Sequence, residues 1–227
     1  LVHDPRPALH PTRPASALQR TDTRPAPAPL PARSPKVPAK HSTAPDGGVA
    51  GLSHRSPRPL FSPTTLIIGD SIVRNIRFFN ATTRCFPGAT AAGLLDKLPE
   101  LLQSIPSSVC RVIIHIGTND TTRRQSELMK KDFIDLFRLV ESCGKSVFIS
   151  GPIPTLSHGA ERFSRLLSLS TWLQHTCTAH KLNFIDNFNL FLNRPGFYQH
   201  DGLHPSTLGS SVLTANIHHA VQSTPAD

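Results

Sequence analysis

An apolar run, Leu66-Ile67-Ile68, gives way abruptly to Gly69-Asp70-Ser71, and two further short words follow in order: Gly117-Thr118-Asn119-Asp120 and Asp201-Gly202-Leu203-His204. A hydroxyl is a poor nucleophile at neutral pH. It needs a base to take its proton, a group to orient that base, and donors for the oxyanion that develops on an attacked carbonyl. Ser71 could be such a nucleophile. His204 could be its base, and Asp201, three residues before it, could reach the second imidazole nitrogen and set the tautomer. Asn119 carries a side-chain amide that could donate to an oxyanion.

The words differ in weight. With 12 His and 11 Asp in 227 residues, an Asp three positions before a His arises readily by chance, whereas G-D-S and G-x-N-D are rare. Order and placement carry the joint case. His200 is the rival base, but it directly precedes Asp201, so His204 is preferred. Asp70 reads as an anchor of the turn rather than a reacting group. Asp120 is expected to tie the loop that follows its strand, and His115 and Trp172 are expected in the core.

These residues need a scaffold. From Thr64 onward, short apolar runs alternate with longer segments of helical period, the pattern of an α/β domain with a parallel sheet. Strands are expected at 64–68, about 82–86, 111–116, 145–150 and 182–186. Helices are expected at 89–103, 125–142, 160–179 and from near Ser206 to about Val221. Continuous apolar strand interiors fit burial on both faces, and in such sheets ligands bind beyond the carboxyl ends of the strands. Ser71 and Asn119 both follow strands, so both words fall at that edge.

On Gly69-Asp70-Ser71, Gly117-Thr118-Asn119-Asp120 and Asp201-Gly202-Leu203-His204, residues 64 to about 220 resemble SGNH (GDSL-type) hydrolases, a family of esterases, lipases and acetylhydrolases. The resemblance implies a flavodoxin-like three-layer α/β/α sandwich with about five strands. It implies Ser71 as nucleophile, His204 and Asp201 as its partners, and an oxyanion hole formed by Ser71, Gly88 in Phe86-Pro87-Gly88-Ala89, and Asn119. Gly88 could also be a plain turn glycine after Pro87. Ile72 and Val73 stand where the family motif usually continues with Leu and then Ser or Thr, which leaves the nucleophile intact and the subfamily open. The Gly-Asp-Ser-Ile-Val-Arg form, with Ile-Gly-Thr-Asn-Asp and a Pro-rich leader, is similar to esterase domains in the first open reading frame of LINE-type retrotransposons.

Composition divides the chain. Residues 1–63 hold 14 of the 22 prolines and nine Lys/Arg against three Asp, with no apolar periodicity that could bury a core. A disordered basic tail is expected there, an SGNH-type domain over 64–222, and a short C-terminal tail over 223–227. The tail could attract RNA or an anionic membrane by counterion release, or serve as a solvated linker. Arg123-Arg124 and Lys130-Lys131 could place charge beside the site or form a solvated helix face. Four scattered cysteines, with no C-x-x-C pair, fit reduced thiols in an intracellular, cytoplasmic protein. A glycan at the Asn119 sequon would obstruct the site, which also argues against secretion. The chain starts at Leu1 without Met and so reads as a fragment or processed product.

Two function classes follow. One is a cofactor-free, metal-free serine esterase acting on acyl esters, acetyl esters among them, or on lipids. The other is an RNA- or membrane-associated retroelement protein in which this fold is mainly a scaffold. A nucleotide-binding α/β domain is disfavoured, because the first turn has neither G-x-G-x-x-G nor a Lys-Ser/Thr phosphate loop. Neither oligomeric state nor acyl preference is legible.

Overall fold

The computed structural model describes residues 62–224. The expected N-terminal tail lies outside these residues apart from Ser62 and Pro63, as do residues 225–227 of the expected C-terminal tail. Five strands form one parallel sheet: β1 (Thr65–Gly69), β2 (Ala81–Cys85), β3 (Arg111–His115), β4 (Ser146–Ser150) and β5 (Asn183–Ile185). Their order, β2-β1-β3-β4-β5, is the flavodoxin-like doubly wound order. The α/β reading of the sequence therefore holds, with no strand limit shifted by more than one residue.

The helices are α1 (Ala91–Leu95), α2 (Leu98–Ser104), α3 (Ser126–Glu141), α4 (Ala160–Ala179), α5 (Phe188–Phe191) and α6 (Thr207–Ser223). The single helix expected over 89–103 is broken at Asp96–Lys97. Pro99 explains the break, because it lacks an N–H and its ring would collide with the carbonyl four residues earlier in a continuous helix. The second segment starts afresh with Pro99 in its first turn, where no donor is needed.

Side chains alternate between the two faces of the central strands, as the period of two requires. Leu66 and Ile68 of β1 pack with Val112, Ile114, Phe133, Phe137 and Leu173 on the face covered by α1 to α4. Ile67 and Ile113 pack with Phe148, Phe191, Leu213 and Ile217 on the face covered by α5 and α6. All five residues of β1 are buried, which is why its run has no polar alternation.

The register sets where function can sit. Gly69 pairs with Cys85 and with His115, and His115 pairs with Ser150, so the strands end level at one edge. Every loop leaving a strand's carboxyl end emerges there.

Candidate active site

Ser71 opens a five-residue 3-10 turn, Ser71–Asn75, immediately after β1. Asp70 builds that turn: its Oδ1 accepts the Ile72 N–H at 2.9 Å, and Ile72 and Val73 bury their side chains in the core below. Ser71 and Arg74 are thereby left on the outer side. The turn is short, so the dipole it contributes at Ser71 is small.

His204 arrives from the far end of the chain. Its Nε2 lies 2.9 Å from Ser71 Oγ, and its Nδ1 lies 2.6 Å from Asp201 Oδ2. The D-x-x-H spacing works through a local turn. Asp201 Oδ1 accepts the N–H groups of both Leu203 and His204, at 2.9 and 3.0 Å, which leaves Oδ2 for the imidazole of the third residue on. Those donors, the imidazole foremost, hold the Asp201 carboxyl down at about 2.

The loop is pinned on both sides. Gln199 N–H donates to His204 O at 2.9 Å, Leu156 N–H donates to Gly202 O at 2.8 Å, and the buried Tyr198 hydroxyl donates to Pro154 O at 2.7 Å. Gly202 adopts φ +63°, a conformation that suits a residue without Cβ. His158 Nε2 lies 2.9 Å from Asp201 O, a contact for which the sequence carried no signal. His200, the rival base, is exposed.

The expected oxyanion donors sit on three loops at this edge. Asn119 Nδ2 donates to Asp70 Oδ2 at 3.2 Å and to Ala89 O at 3.1 Å, joining all three. Gly88, beside Ala89, has φ +77°, and a Cβ there would meet open space. Among the described residues, neither its N–H nor that of Ser71 has an acceptor. Asp120 does more than tie its own loop, because its Oδ1 accepts the Ala91 N–H at 2.8 Å, 29 residues away. Burial pushes both Asp70 and Asp120 up to about 6.

His115 is fully buried, and burial pushes it down to about 4, so it is neutral at pH 7. Its Nδ1 lies 2.9 Å from Ser150 Oγ, which also accepts from Asn187 Nδ2 at 2.8 Å. It braces β3 against β4, as a core histidine would. Trp172 packs edge-on against Phe133 beside the core. Lys130 pairs with Glu127 and Lys131 with Asp135 along α3, the pattern of a solvated helix surface, while Arg124, just before α3, pairs with Glu161 of α4.

A cavity of about 230 Å³ lies over Ser71 and His204. A larger one, about 460 Å³, lies between α3 and α4 over Met129, Leu169 and Trp172 and does not reach the serine. The smaller cavity is where an ester could meet the hydroxyl. The four cysteines are free thiols, and among the described residues no three His, Cys, Asp or Glu side chains group to hold a metal ion. Nor, among those residues, is any helix long and apolar enough to cross a membrane.

Residues 67–212 match the model of the GDSL-like lipase/acylhydrolase family. The esterase domain of the ZfL2-1 ORF1 protein from the zebrafish ZfL2-1 retrotransposon is 44% identical over 70% of this chain and 99% of that one, with a TM-score of 0.43. A GDSL-like lipase from Bacteroides thetaiotaomicron shares the fold at 19% identity over 70% of this chain and 87% of that one, TM-score 0.61. A lipolytic protein of the G-D-S-L family from Veillonella parvula does so at 17% identity over 70% and 98%, TM-score 0.60. No curated protein matches the chain.

Proposed function

Because the chain belongs to the GDSL-like lipase/acylhydrolase family, we propose that it is a serine esterase that cleaves short acyl esters, acetyl esters among them, through an acyl-enzyme. The observation that carries this reading is the relay from Ser71 Oγ through His204 Nε2 and Nδ1 to Asp201 Oδ2, at 2.9 and 2.6 Å. His204 takes the Ser71 proton as Oγ bonds to the ester carbonyl carbon. The same proton passes to the leaving alkoxide as the ester C–O bond breaks. A water molecule, deprotonated by His204, then attacks the acyl-serine, and the acid leaves as Ser71 recovers its proton. Asp201 holds the imidazole in the tautomer with Nε2 free to accept. The N–H groups of Ser71 and Gly88 and the Asn119 amide serve the oxyanion. The cavity directly over Ser71 has room for a short acyl group.

The full chain should release a burst of chromophore from a chromogenic acetate ester, equal to the enzyme concentration, followed by a slower steady rate. Ser71→Ala should remove both phases. Turnover that survives this substitution would overturn the reading.

The likeness to the zebrafish ORF1 esterase domain, together with nine Lys/Arg in residues 1–63, also supports a retroelement setting in which the N-terminal segment contacts RNA or an anionic membrane. Binding of single-stranded RNA that weakens steeply with salt, and is lost on deleting residues 1–63, is expected. Salt-insensitive binding would contradict it.

A further inference from the structure

A second cavity, of about 430 Å³, adjoins the one over Ser71 and His204. Asn75 and Ser210 line both, so the two form one trough running from the nucleophile between the 3-10 turn and the first turns of α6. Arg74 lines the inner part and Arg77 the outer part, and no carboxylate lines either.

The placement of Arg74 is built in. In a 3-10 turn, residues i and i+3 eclipse each other, so Arg74 rises from the same side as Ser71. Burial of Ile72 and Val73 fixes the turn in that rotation. Both arginines are exposed, and among the described residues neither enters an ion pair. Arg77 donates from one Nη to Ile76 O at 2.7 Å, which leaves the rest of its fork available. Beyond Ser71 and His204, the other polar side chains of the trough are the hydroxyls of Thr207, Ser210, Ser211 and Thr214 and the amides of Asn75 and Gln199. Two uncompensated cations in a carboxylate-free trough raise the local potential for anions, and a guanidinium presents paired donors to phosphate or carboxylate.

We propose that this trough selects esters that carry an oxyanion, phosphate or carboxylate, on the portion lying along Arg74 and Arg77. The inference rests on the esterase reading, and it assigns that site a substrate class. Ile72 and Val73, which replace the usual residues after the serine, act in it as the buried footing of Arg74.

The test compares acetate release by the full chain from three matched esters: monoacetylglycerol, monoacetylglycerol 3-phosphate and O-acetylglycerate. The anionic esters should exceed the neutral one in kcat/KM by about fivefold, the scale of one partly solvated charge-assisted contact. The gap should close at about 0.5 M salt, where the Debye length is only a few ångströms. Arg74→Glu combined with Arg77→Glu should invert the order, and a preference for either anion over the neutral ester supports the proposal. Equal rates on all three, or the same order after charge reversal, would overturn it while leaving the esterase reading intact. Failure on all three, together with failure on a chromogenic acetate, would remove both.

Discussion

Asn119 Nδ2 stands 3.2 Å from Asp70 Oδ2 and 3.1 Å from Ala89 O, so the amide expected to serve an oxyanion is held by two acceptors in the resting site. A primary amide has two N–H groups, and an oxyanion must take one of them over. The carboxylate is the stronger acceptor, so the Ala89 bond is the one to yield. On the proposed reading, Asp70 keeps Asn119 aimed while substrate displaces the weaker contact.

Asn119→Ala should therefore lower kcat by about 10²- to 10³-fold on a chromogenic acetate, the cost of one oxyanion donor, with a small change in KM. Asp70→Asn should lower kcat by a smaller factor, because its amide would oppose the Asn119 amide donor to donor. Steady-state kinetics of the two variants would check both. Full activity in Asn119→Ala would remove that residue from the oxyanion hole.

Asp120 is 5% exposed, and its Oδ2 has no partner among the described residues. Burial raises its carboxyl from 3.8 to about 6. Between those values the folded chain holds a proton that the unfolded chain has released, so this group's contribution to stability falls as pH rises from about 4 to about 6 and is flat above. Asp120→Asn removes the dependence and keeps an oxygen for the Ala91 N–H. The variant should gain on its parent between pH 4 and 7 by on the order of 2 kcal/mol, read from urea unfolding at both pH values. Taking the difference between variant and parent cancels the opposite trend of buried His115.

Asp201 is held at about 2, mainly by His204, and so stays ionised throughout the working range. Asp201 therefore adds no step of its own to the acid limb of kcat/KM. Asp201→Asn keeps the oxygen that accepts from Leu203 and His204 but turns an N–H toward the imidazole and favours the wrong tautomer. The expected loss is about 10²- to 10⁴-fold in kcat with the fold retained, seen by rate measurements beside circular dichroism.

Gly202 combines φ +63° with a backbone neighbour: a Cβ there would come 2.5 Å from Leu156 O. Gly202→Ala should displace the Asp201–His204 loop and lower kcat more than tenfold, with a stability loss of about 1–2 kcal/mol. Gly196, where a Cβ meets nothing within 4 Å, is the matched control. Gly196→Ala should be close to neutral in both assays.

The strands were legible because Leu66–Ile68 and Val112–Ile114 are continuous apolar runs that only a sheet covered on both faces accommodates. Ser71 and Asn119 were legible because short words at strand ends converge wherever the strands are parallel, and the Asp201–His204 loop, which leads into α6, was legible from its D-x-x-H spacing. Pro99 was visible in the sequence, but the Leu95-Leu98-Leu101-Leu102 stripe ran through it and masked the break. The Asp120 bond to Ala91 and the His158 contact to Asp201 were not legible, since both depend on how loops meet. The trough was hidden for the same reason: Arg74 reads as one more surface cation until the 3-10 turn sets it above Ser71 and α6 lies alongside.

The central claim is that Ser71 is the nucleophile, and covalent capture tests it most directly. The full chain, treated with a fluorophosphonate probe and digested, should yield one modified peptide with the adduct on Ser71. Labelling should vanish in Ser71→Ala and slow sharply in His204→Ala. An adduct on another residue, or undiminished labelling of Ser71→Ala, would contradict the account.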